Sequence, residues 1–89
     1  MHAVVVEVTI EDFETARNNL RAQVVPAVSQ APGFVSGYWT RSEDGNNGIG
    51  MIVFDSEESA RTASEMIAAG AREGVTLDGV EILEVVEHA

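Results

Sequence analysis

The sequence predicts an α+β fold, an antiparallel four-stranded sheet with two helices on one face. Three observations predict it. Residues 3–10 and 80–87 are rich in β-branched residues and read as the first and last strands. Two runs with helical apolar spacing, 13–28 and 57–70, each follow a strand-like stretch. Between them, residues 34–41 and 49–54 are joined by a short polar loop, the mark of a hairpin. The element order is therefore β-α-β-β-α-β.

The first strand carries Val4, Val6, Val8 and Ile10 on one face, and Ala3, Val5, Glu7 and Thr9 on the other. That is the pattern of a central strand with helices on its apolar side. Glu11-Asp12-Phe13 starts a helix, with Thr9 or Asp12 as cap and acids in the first turn. Phe13, Ala16, Leu20, Val24 and Ala27 follow the helical period, with Arg17 and Arg21 on the other side. Pro26 removes a backbone donor, so the helix should kink or restart there. Pro32-Gly33 turns the chain into Phe34–Arg41, which holds the only Trp and the only Tyr. Strict alternation puts Phe34 and Tyr38 on one face, and Val35, Gly37, Trp39 and Arg41 on the other. Gly37, Gly48 and Gly50 leave room for a large neighbour, and Trp39 is the candidate.

Asp55-Ser56-Glu57-Glu58 is a helix start, a cap followed by acids. Ala60, Ala63, Ile67 and Gly70 line one face of that helix and allow close approach to the sheet. Its small residues leave little height for an indole, so Trp39 is expected on the sheet face away from the helices. Asp78-Gly79 reads as a turn before the last strand. Right-handed crossovers turn this order into a ferredoxin-like sheet with the first and third strands central. The other face of the sheet then needs a cover, and a second subunit is the simplest.

Residues 1–89 form a single domain. A chain of this length buries only about two-thirds of its unfolded surface, which also favours association. Five Arg and no Lys stand against 15 Asp and Glu, a net charge of −10. Such a surface disfavours nucleic acid and anionic membranes as partners. No stretch approaches a bilayer-spanning length, so a cytoplasmic protein is expected. There is no cysteine, no phosphate-binding loop and no nucleophile elbow. His2, Glu87 and His88 should come to one sheet edge, but no metal is expected at these terminal residues.

Three segments carry a family resemblance: Val25-Pro26-Ala27-Val28, Ala31-Pro32-Gly33-Phe34-Val35-Ser36 and Phe54-Asp55-Ser56-Glu57-Glu58-Ser59-Ala60. They resemble the dimeric α+β barrel superfamily, in its antibiotic-biosynthesis-monooxygenase branch. The resemblance implies a homodimer whose sheets face one another. It implies a small-molecule cavity between each sheet and its helices, or within the barrel. It also implies a monooxygenase-like protein without a cofactor that acts on or binds a small aromatic or polyketide-like molecule. The alternative is a non-catalytic binding or assembly domain. Haem-degrading members carry an Asn on the first strand, a Trp before the second helix and a His on that helix. Here the first strand has no Asn, Phe54 stands where the Trp would be and the second helix has no His, so haem degradation is not expected.

The candidate ligand-binding residues are Trp39, Tyr38, Arg41, Glu7 and Phe54. Trp39 and Tyr38 either stack on a flat ligand or fill a core or dimer interface. Arg41 either clamps an anionic or enolate oxygen or pairs with Glu43 or Glu7. Glu7 either is buried and acts as a base or is solvated at the sheet end.

Overall fold

The computed structural model describes residues 1–70 and 72–89. The strands are β1 His2–Ile10, β2 Phe34–Arg41, β3 Asn47–Phe54 and β4 Val75–Glu84. They form one sheet in the order β2-β3-β1-β4, antiparallel at every pairing. β1 and β3 are therefore central. The architecture is α+β and compatible with a ferredoxin-like fold.

The first helical run has three parts: α1 Phe13–Asn19, a π turn over Leu20–Val24, and α2 Val25–Ser29. Asp12 caps α1, its carboxylate accepting from the Thr15 N–H at 3.1 Å. The expected break at Pro26 takes the form of the π turn, in which the Val25 N–H donates to the Leu20 carbonyl five residues back. Pro26 has no N–H with which to continue the α-helical ladder, and the wider turn absorbs the mismatch. The run buries little, only Ala16 and Val28.

The helix α3, Glu57–Ala69, packs more tightly. Ser56 caps it by accepting from the Ser59 N–H at 3.1 Å. Ala60 and Ala63 are buried against the sheet. Val4, Ile52 and Phe54 are fully buried beneath the helices, with Val28, Ala60 and Ala63 beside them. Phe34 meets Phe54 edge to face, ring centres 6.3 Å apart.

Two one-residue bulges change the expected faces. In β2, Phe34 pairs with Phe54 but Ser36 pairs with Val53, so one residue is inserted at Val35. An inserted residue reverses the alternation on one side of it. Phe34 therefore shares the helix-side face with Trp39 and does not share a face with Tyr38. This corrects the expected position of Trp39, which lies on the helix side, packed at the edge of the core. In β4, Glu7 faces Gly79 and Val8 faces Leu77, which leaves Asp78 as the inserted residue. Asp78 and Gly79 are thus a bulge within a continuous strand, not a turn before it. The Thr9 hydroxyl donates to the Asp78 carboxylate at 2.7 Å and secures the bulge.

Gly74 ties the start of β4 to the start of α1. Its carbonyl accepts from the Glu11 and Asp12 N–H groups at 2.8 and 3.0 Å. Its φ of +79° is one that only glycine adopts readily, and a Cβ there would stand 2.5 Å from the Asp12 carbonyl oxygen.

Candidate functional site

Because α1 stands off the sheet while α2 packs onto it through Val28, a cleft of about 550 Å³ lies between the first helical run and the sheet. Its roof is the apolar stripe that the sequence predicts, Phe13, Ala16, Leu20, Val24 and Ala27. Its floor is the helix-side face of the sheet, with Val6 and Val8 of β1, Trp39 of β2, and Gly48, Gly50 and Ile52 of β3. Met66 and Ile67 close one side.

Trp39 lies flat on its strand neighbours. A Cβ built on Gly50 would stand 3.1 Å from Trp39 Cδ1 and 3.2 Å from Nε1. One built on Gly37 would stand 2.9 Å from Cη2. The indole therefore spans these two glycines, its pyrrole edge over Gly50 and its benzo edge over Gly37. Gly37 and Gly50 supply the predicted space for Trp39. Gly48 does not, because a Cβ there would meet Val8, Ile10 and the Thr40 carbonyl.

Arg41 follows two residues later on the same face. Its guanidinium carbon sits 3.7 Å from the centre of the Phe13 ring. This cation–π stack, and not a pair with Glu43 or Glu7, is its contact in the structure. It also explains how a charge ends the helix-side face of β2: the stack lies at the exposed rim of the cleft. Arg17 lines the cleft too, contrary to its expected place on the far side of the helix. It stands one turn from Phe13 and Leu20, on the flank of the same stripe. Arg72 donates to the Ile67 and Ala68 carbonyls at 3.1 and 2.8 Å, satisfying the C-terminal end of α3 beside the cleft.

Of the five candidate residues, the structure brings Trp39 and Arg41 together in the cleft. Tyr38 and Glu7 are on the opposite face. Tyr38 is 70% exposed next to Met51, and Glu7 is exposed next to Ile49 and Gly79. Glu7 is therefore solvated and not buried. Phe54 has no exposed surface and belongs to the core. Phe13, Arg17 and Arg72 were missing from the candidate set. A basic residue just past a helix end is a C-terminal signal that points to Arg72, whereas nothing local announces the stack of Arg41 on Phe13.

Away from the cleft, His2 Nε2 is 3.5 Å from Glu57. Among the described residues no three His, Asp or Glu side chains are grouped as metal ligands, and no helix is long and apolar enough to cross a membrane. No protein-family model matches the chain, and no curated protein matches it.

Proposed function

We propose that this chain is a small-molecule-binding domain that holds a flat, apolar, aromatic or polyketide-like molecule in the cleft beside Trp39. The observation that carries the reading is the indole laid flat across Gly37 and Gly50 as the floor of an apolar cleft of about 550 Å³. Small-molecule sites typically enclose about 300–1,000 Å³ with apolar walls and few polar groups. An exposed ring face in such a space offers stacking to a planar ligand.

The same reading makes the protein a homodimer of the dimeric α+β barrel type. On the sheet face away from the helices, Tyr38, Ile49, Met51 and Leu83 are between 43% and 70% exposed, with Val5 and Val53 among them. This exposed apolar surface, interrupted by Glu7 and Glu81, is covered most simply by its own copy.

Trp39 is the only tryptophan, so its fluorescence reports on the cleft directly. Titration with planar aromatic compounds, naphthalene and anthracene derivatives among them, should give saturable quenching or a spectral shift. Trp39→Leu should weaken binding measured by calorimetry at least about tenfold, the scale of a lost aromatic stack. A panel that gives no saturable binding at millimolar concentration would overturn the reading.

A second reading, oxygenation without a cofactor, draws on Arg41. A cation fixed beside the apolar floor suits the oxygen of an enolate. A substrate with an acidic methylene would lose a proton to form that enolate. The methylene would end as a carbonyl, with one oxygen atom of O₂ in it and the other in water. Oxygen uptake with anthrone above the protein-free rate, lost in Arg41→Gln, would support this reading, and no uptake with a bound anthrone would leave binding alone.

A further inference from the structure

Among the described residues, three of the chain's five arginines, Arg17, Arg41 and Arg72, line the cleft, together with one of its 15 carboxylates, Glu73. The rest of the molecule is strongly acidic, so charge is segregated and the cleft is its positive region. The segregation is sharper than a count suggests. The ion pairs among the described residues are those of Glu57 with His2 and with Arg61. None of the three cleft arginines is in an ion pair, in a chain with three times as many acids as arginines. Arg41 stacks on Phe13 at 3.7 Å, and Arg72 is held by the Ile67 and Ala68 carbonyls. Two of the three guanidinium groups are thus positioned by groups that leave their net charge unneutralised by a carboxylate.

We infer that the ligand of this cleft is an anionic amphiphile: a planar apolar body against Trp39 with a carboxylate directed to Arg41 and Arg17. The inference rests on the reading of the cleft as a binding site and adds the charge of the ligand to it. An anion entering the cleft gains the fork of a guanidinium donor and meets three arginines against one carboxylate in an otherwise acidic chain. A neutral ring of the same size gains only the stacking. Because the arginines sit at a partly exposed rim, salt weakens the anion's advantage.

The test uses 2-naphthoate and 2-naphthamide, of equal size and different charge, with calorimetry on the intact chain at low salt. 2-Naphthoate should bind at least about tenfold tighter than 2-naphthamide, the scale of charge-assisted hydrogen bonding. That preference should shrink in 0.5 M salt. Arg41→Gln should remove most of it and Arg17→Gln part of it. Arg21→Gln, on the same helical run and outside the cleft lining, should leave it unchanged. Circular dichroism of each variant shows whether it remains folded, and saturable binding of the amide by Arg41→Gln shows whether the cleft persists. Equal affinity for the two compounds overturns the inference and leaves the binding reading standing. Binding of neither overturns both.

Discussion

Replacing Gly50 by alanine tests the geometry at the centre of the site. The new methyl would stand 3.1 Å from Trp39 Cδ1 and 3.2 Å from Nε1. Ordinary carbon contacts lie at about 3.5–4.0 Å, so the indole must yield by a few tenths of an ångström. Overpacking of this kind costs about 1–3 kcal/mol. Removing a glycine from a strand interior returns about 0.5–1 kcal/mol. The upper face of the indole borders the cleft, so the ring lifts into open space and the strain stays at the low end. The expected net loss is at most about 0.5 kcal/mol, or about 2–4 °C in Tm for a domain of this size, measured at one fixed protein concentration. The lifted ring also narrows the cleft, so tryptophan emission shifts and ligand affinity falls. In a Trp39→Ala background the clash is gone, and the same Gly50→Ala change should become neutral or stabilising. Thermal and urea denaturation of the four proteins completes the cycle. If Gly50→Ala costs the same with and without Trp39, the indole does not lie on Gly50 and the account of the cleft floor is wrong.

Three further outcomes are expected. Sedimentation at micromolar concentration should show a species of twice the 9.5 kDa chain mass, and Met51→Glu, at a 43% exposed position on the open sheet face, should convert it to a folded monomer; a monomeric wild type would exclude the dimer. Gly74→Ala should lower stability by more than about 2 kcal/mol, because it adds a Cβ in a positive-φ position against the Asp12 carbonyl and the Ala16 N–H, and an unchanged urea midpoint would contradict that docking. The Asp44 carboxyl, held by the Ser42 hydroxyl at 2.6 Å and the Asn46 N–H at 2.9 Å, should titrate below the ordinary aspartate value; its bonds stabilise the β2–β3 hairpin loop above the unfolded pKa and are lost as pH falls through the lowered folded one, and an NMR midpoint at or above 3.8 would refute this.

Local patterns were enough for the element order and most element positions. The period of Val4, Val6 and Val8, the stripe from Phe13 to Ala27, and the cap signals of Asp12 and Ser56 all act within a few residues, where sequence spacing is spatial spacing. The first helical run's apolar stripe was legible, but not the fact that α1 roofs a cleft while α2 packs down through Val28. That depends on how far α1 stands from a sheet built from all four strands. The face of Trp39 was decided only in three dimensions. One residue inserted at Val35 reverses the alternation, and whether a strand takes such an insertion depends on its pairing partner and on the twist of the sheet. The same holds for Asp78, whose turn-like sequence is absorbed into β4 once Thr9 of β1 receives it. The cationic character of the cleft was least visible. Arg17, Arg41 and Arg72 are scattered through an acidic chain, and their meeting requires α1, β2 and the end of α3 to converge, which no local spacing encodes.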